Sequence, residues 1–128
     1  GLKDFQQFYL VINYIEKKYE CNVLACKTIR NKNKLALSSR NFLLNKKDLN
    51  KAERLSIDLF RLKKKLAKFI DIKKSLRNTK ITLSKKYNVN IEYLELRNKK
   101  NLKESNNIRF SNLFIAYYLK KIRLIDNF

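Results

Sequence analysis

Residues 45–70 read NKKDLNKAERLSIDLFRLKKKLAKFI, and this stretch decides how the rest of the chain must be arranged. Ala52, Leu55, Leu59, Leu62, Leu66 and Phe69 recur at steps of three and four, which puts them on one face of an α-helix from about 46 to 70. Arg54, Asp58, Arg61, Lys64, Lys65 and Lys68 fall opposite. Those lysines are expected on the solvent side and not around a pocket. Asn45 precedes the run and suits an N-cap, because its side-chain oxygen can accept a first-turn N–H. An apolar stripe of this length needs a second layer to cover it. Residues 72–87 read as another helix, with Leu76 and Leu83 on its apolar face. Residues 89–97, VNIEYLELR, alternate as a strand does: Val89, Ile91, Tyr93 and Glu95 on one side, Asn90, Glu92, Leu94 and Leu96 on the other. Beyond a polar stretch, LFIAYYL (113–119) and IRLIDN (122–127) read as two strands joined by a tight turn at Lys120-Lys121, although hairpin turns favour Gly or Asn there. Helices against a small antiparallel sheet make an α+β unit.

Toward the N-terminus, Phe5, Phe8, Tyr9, Ile12, Ile15 and Tyr19 give a helix over 3–19. Residues 22–29, NVLACKTI, read as a mostly apolar and therefore buried strand, which could belong to a different sheet from the last three. Cys21 and Cys26 are an odd number of residues apart, so in a strand they face opposite ways and no bridge between them is expected. With no His in the chain and no further Cys, a zinc site of the usual type is not available. Buried, reduced thiols suited to a cytoplasmic protein are the expectation.

The chain has 128 residues, enough for one core, and 45% of them are hydrophobic. No apolar run approaches the roughly 20 residues of a membrane span. GLKDFQQ has none of the features of an export signal. There is no Met, which raises the expectation of a fragment or a processed chain. The net charge is +20, which points toward nucleic acid or another polyanion. Lys supplies 23 of the 31 positive charges and Asn occurs 16 times, which is also the residue bias of an A- and T-rich gene.

Three polar groupings could carry chemistry. Gly1-Leu2-Lys3-Asp4, followed by Gln6 and Gln7, holds the one Gly of the chain ahead of a helix. Backbone N–H groups and a lysine there suit an anion, or Gly1 simply caps the helix. Ser38-Ser39-Arg40-Asn41, set among Leu35, Ala36, Leu37, Phe42 and Leu43, puts several donors on one short turn. They suit phosphate oxygens; alternatively Ser38 or Ser39 caps the turn and Arg40 is exposed. Arg123 and Asp126, three apart, read as a surface ion pair. The absence of His excludes a Ser–His–Asp triad, and no Walker or dinucleotide glycine loop is present. Tyr117, Tyr118, Lys120 and Lys121 could stack on single-stranded nucleic acid, but lack the Gly-aromatic pattern of an RNA-binding sheet. The tyrosines read as core.

Together these groupings resemble one family. Gly1-Leu2-Lys3-Asp4-Phe5-Gln6-Gln7 resembles the G-E-K-D-x-Q-Q segment of the pantothenate synthetases, or pantoate–β-alanine ligases. Thr28-Ile29-Arg30 and Leu35-Ala36-Leu37-Ser38-Ser39-Arg40-Asn41 resemble its T-V-R and G-L-A-[LM]-S-S-R-N segments. Ile91 to Leu96 resembles D-Y-[LV]-E-[LV], and Ala116 through Asn127 resembles A…G-x-T-R-L-I-D-N. The matches keep family order and span nearly the whole chain. The resemblance implies an ATP-dependent ligase acting through a pantoyl adenylate, with magnesium accompanying ATP. It implies that Gly1, Leu2, Lys3, Asp4, Ile29, Leu37, Ser38, Ser39 and Arg40 bind ATP. Lys3, Ser38, Ser39 and Arg40 would assist catalysis, and Gln7 would bind pantoate. It implies the end of a Rossmann-like nucleotide-binding domain over 1–36, an ATP-lid domain over 37–128, and a homodimer in the complete enzyme. The family's N-terminal half, with its histidine motif, has no counterpart here, so the chain alone is expected to be inactive. Leu2 stands where the family has Glu, and the loop before Ser38 is shorter. Lys34 and Lys120 stand where it has Gly, so both turns must change shape or bear strain.

Overall fold

The computed structural model describes residues 1–128 apart from the side chain of Lys17. The N-terminal run is helical in four pieces: a 3-10 turn at Leu2–Asp4, α1 (Phe5–Leu10), a π-helical stretch at Val11–Glu16 and α2 (Lys17–Tyr19). It ends at Glu20 in the left-handed conformation. Further on come α3 (Lys46–Lys65), α4 (Ile72–Tyr87), β1 (Asn90–Asn98), β2 (Ser111–Leu119) and β3 (Ile122–Asn127).

Helix α3 begins as its sequence requires, with the Asn45 side chain accepting the Asp48 N–H at 2.8 Å. Its stripe is the centre of the molecule: Ala52, Leu55, Leu59 and Leu66 are at most 1% exposed. The helix stops short of residue 70. Leu66–Lys68 tighten into a 3-10 turn and Phe69 leaves with extended backbone, so Phe69 is only partly buried against the core. The early stop lets Asp71 take the extended conformation of an N-cap for α4, accepting the Lys74 N–H at 2.9 Å.

The sheet has the order β1-β2-β3 and is antiparallel throughout. One face carries Leu113, Ile115, Tyr117 and Leu119 of β2 into a single cluster with the α3 stripe and with Leu76 and Leu83 of α4. On the other face Phe114 meets Phe5 edge-on at 5.7 Å, so β2 is covered on both sides. Strict alternation in β1 does not hold. Ile91 pairs with Tyr117 and Tyr93 with Ala116, which leaves Glu92 as an inserted residue. The bulge flips the phase, so Ile91, Leu94 and Leu96 all reach the core. The β2–β3 hairpin turns at Lys120-Lys121, with Leu119 paired to Ile122.

The strand expected over 22–29 does not form. The segment is extended but belongs to no ladder, and Leu24 and Ile29 are 85% and 72% exposed. A strand needs a neighbour for its N–H and C=O groups, and all three strands of the sheet come from residues 90–127. Cys21 and Cys26 are accordingly free and exposed, not buried. The N-terminal helix forms where its spacing predicts, yet Leu10, Tyr14, Ile15 and Tyr19 stay exposed.

Candidate functional site

Three distant stretches meet in one cleft of about 320 Å³. The 3-10 turn and α1 supply Lys3, Asp4 and Gln7. The turn after Ala36 supplies Ser38, Ser39, Arg40 and Asn41, and the hairpin supplies Tyr117 and Arg123 to Asp126. The cleft therefore gathers three polar groupings drawn from the start, the first third and the end of the chain.

Each wall has a local cause. Ser38 is the cap of the 3-10 turn Ser39–Leu43: its hydroxyl accepts the Arg40 N–H at 3.3 Å. The Asn41 amide donates to the Ala36 carbonyl at 3.0 Å, which fixes its orientation. Asn41 Oδ1 is then a buried acceptor without a partner among the described residues. The preceding loop doubles back through an Arg30–Ala36 bridge. Asn31 and Asn33 tie it to α3, donating to the Glu53 carboxylate at 2.6 and 2.7 Å. Lys34, in this loop, keeps a positive φ of 69°.

Arg123 and Asp126 do not pair with each other. Residues three apart on a strand face opposite sides. Arg123 instead donates to the Glu92 carboxylate at 2.8 and 3.2 Å, and this pair holds the Glu92 carboxyl below its usual range. Asp126 receives two bonds from Arg30, at 2.6 and 2.8 Å. The Arg30 guanidinium also lies 5.0 Å from the ring centre of Phe60 and 4.8 Å from that of Phe128. Burial pushes the Asp126 carboxyl up, with Arg30 pulling the other way. Burial likewise raises the Tyr117 phenol, which stays neutral.

Lys3, Asp4, Gln7, Ser38, Ser39 and Arg40 are brought together. Gly1, Leu2, Ile29 and Leu37 do not line the cleft. Ile29 and Leu37 instead pair with each other, the Leu37 N–H donating to the Ile29 carbonyl at 2.9 Å. Leu2 donates its N–H to the Cys26 carbonyl at 2.9 Å. A Cβ added to Gly1 would meet only that same carbonyl, at 3.7 Å, so no steric demand for glycine exists there. Lys3 Nζ lies 2.9 Å from Asp4 Oδ1, and Arg40 Nη1 donates to the Arg123 carbonyl at 2.9 Å. Both cations are thus parked on local acceptors. Asn41 was legible as a donor and Asp126 as a charged partner, although of Arg123 and not of Arg30; Arg30 and Asn127 were given no role of their own. The usable signal was polar residues set inside apolar strand runs. Elsewhere, Arg54, Asp58 and Arg61 line a shallow groove between α3 and α4. The early stop of α3 brings α4 back alongside it.

The whole chain, residues 1–128, matches the family model for pantoate-beta-alanine ligase. The chain belongs to the pantoate–β-alanine ligase family. It is 33% identical to a pantothenate synthetase of Chelativorans sp. (strain BNC1) over 129 residues, 99% of this chain and 45% of that protein. A crystal structure of pantothenate synthetase from Thermus thermophilus superposes with a TM-score of 0.86 at 25% identity, over 100% of this chain and 47% of that one. The pantoate-beta-alanine ligase of Francisella tularensis, complexed with beta-gamma ATP and beta-alanine, superposes with a TM-score of 0.69 at 28% identity, over 100% and 41%. The chain spans about half the length of the relatives it matches.

Proposed function

We propose that the chain is the C-terminal part of an ATP-dependent pantothenate synthetase. In that reaction a pantoate carboxylate oxygen attacks the α-phosphorus of ATP and pyrophosphate leaves. The amine of β-alanine then attacks the acyl carbon, loses a proton, and AMP leaves. The observation that carries the reading is the convergence of Lys3, Asp4 and Gln7 with Ser38, Ser39 and Arg40 on one cleft. Two cations and two hydroxyls there can neutralise and orient phosphate oxygens as charge shifts toward the leaving group. In this reading Lys3 and Arg40 leave Asp4 and the Arg123 carbonyl for the triphosphate. Asp4 turns to the ribose, Gln7 binds pantoate, and the Ile29 backbone faces adenine beside Leu37. Gly1 and Leu2 contribute through the turn that carries Lys3.

Among the described residues no group of three His, Cys, Asp or Glu converges on a metal position. The donor set therefore does not fit a resident magnesium ion, and magnesium would arrive on the triphosphate. We read 1–36 as the end of a Rossmann-like nucleotide-binding domain and 37–128 as the ATP lid. The complete enzyme would be a cytoplasmic homodimer, and the chain alone, without histidine, inactive. No helix among the described residues is long and apolar enough to cross a membrane.

The test is made in the complete enzyme. Lys3→Ala and Arg40→Ala are each expected to lower pantoate-dependent pyrophosphate release by about 100-fold or more, with circular dichroism unchanged. Wild-type rates in both variants would refute the site. The rival reading, a basic nucleic-acid module, requires tight binding that weakens steeply with salt; a flat binding curve removes it.

A further inference from the structure

The 3-10 turn Leu2–Asp4 has no buried residue and no side-chain cap, yet it carries Lys3 and Asp4 into the cleft. Its anchor comes from the other end of the chain. Asn127 Nδ2 donates to the Leu2 carbonyl at 2.7 Å and to the Lys3 carbonyl at 3.0 Å. Both hydrogens of one amide are thereby committed to two consecutive carbonyls. Asn127 Oδ1 accepts from Asn112 Nδ2 at 3.1 Å, which fixes which end of the amide faces the turn. The Asn127 N–H donates to Asp126 Oδ1 at 2.8 Å, and its carbonyl accepts from Arg30 Nη2 at 2.9 Å. The residue is 8% exposed, so water competes little for these bonds.

We propose that Asn127 is the positioning residue for Lys3 and Asp4, fastening their turn to β3, with the Arg30–Asp126 pair as the fixed post. The role rests on the reading of Lys3 and Asp4 as ATP-holding groups. Asn127 touches no reacting atom; it sets where the Lys3 ammonium begins its reach. The chemistry selects asparagine narrowly. Asp has the shape but would set a carboxylate oxygen against two carbonyl oxygens, and Leu fills the volume but donates nothing.

The experiment titrates inorganic tripolyphosphate into the 128-residue chain and follows the amide resonances of Lys3, Asp4, Ser39 and Arg40, together with hydrogen exchange. Asn127→Leu is expected to weaken binding by about tenfold, ~1.4 kcal/mol. It should also speed exchange at Asp4, whose N–H is bonded to the Gly1 carbonyl, while Leu119 and Ile122 exchange as in the wild type. Wild-type affinity in Asn127→Leu overturns the proposal. So does faster exchange spread evenly through the hairpin, because that marks a general structural role. If tripolyphosphate leaves Lys3 unmoved in the wild type, the ATP-site reading falls. Asp4 exchange in Asn127→Leu then decides the positioning role, and an unchanged rate overturns it. Should Asn127→Leu fail to fold, Asn112→Leu decides. It keeps both donors but frees the amide to rotate, so affinity should fall by about threefold, and no fall overturns the proposal.

Discussion

Lys34 and Lys120 hold backbone angles that suit glycine, with φ of 69° and 55°. A left-handed backbone costs an ordinary L-residue about 1–2 kcal/mol. Glycine removes that cost but enlarges the freedom of the unfolded chain. Lys34→Gly is therefore expected to stabilise the fold by about 0.5–1 kcal/mol, read as a higher urea midpoint with unchanged slope. Lys120→Gly should gain less, because it gives up the ion pair to the buried Asp48 carboxylate at 3.1 Å. A lower midpoint for Lys34→Gly would mean that the turn is not strained. The resemblance made both positions legible as departures. Sequence alone left open whether the turns would change shape or bear strain, and both lysines sit in the left-handed region. The partners of Arg30, Arg123 and Asp126 were not legible, because they depend on sheet register and on the path of the loop that carries Arg30.

Helix α3 was readable at its start and along its stripe, since cap and period agree, but it ends at Lys65 and not near 70. Asn45→Ala should cost about 1 kcal/mol. Leu59→Ala, at a position 1% exposed, should cost about 2–5 kcal/mol through the cavity it leaves. Thermal unfolding distinguishes the two, because only the second removes core volume. A loss under about 1 kcal/mol for Leu59→Ala would mean the core collapses around the gap. Strand β1 was legible as a strand but not in phase. One inserted residue at Glu92 reverses which side chains face inward, and nothing in VNIEYLELR marks it. The segment 22–29 failed for another reason: apolar composition predicts burial, but a strand is made by its neighbour, and this one has none in the sheet.

Across the whole molecule the few carboxylates are heavily used. Asp48 beside Lys120, Glu92 beside Arg123 and Glu104 beside Lys73 all have pKa values below the usual carboxylate range. Depressed folded-state values mean that the unfolded chain binds protons first as the pH falls. The stability they contribute is present above about pH 4 and is lost as the pH drops through their folded values. With 31 cations against 11 acids, each proton taken up also adds to self-repulsion. The urea midpoint should therefore hold between about pH 5 and 7 and fall steeply toward about pH 3, with added salt restoring part of the loss. A flat profile down to that acid limit would show that these pairs carry no net stability. Composition announced the charge, and the helix periods announced the solvent faces. Residue by residue the cleft was legible as three separate groupings, and only the family resemblance put the first two at one ATP site; what joins them is the sheet register and the loop between Arg30 and Ala36.

The bond from Asn127 to Leu2 closes over 125 positions. A ribosome releases Lys3 and Asp4 near the start of this stretch and Asn127 near its end. For most of synthesis the phosphate-facing turn therefore has no clamp, while α3 and α4 can already dock on each other. Within this stretch the cleft is among the last features to be completed, so a nascent chain stalled before Asn127 should hold its helices and still grip a polyphosphate more weakly.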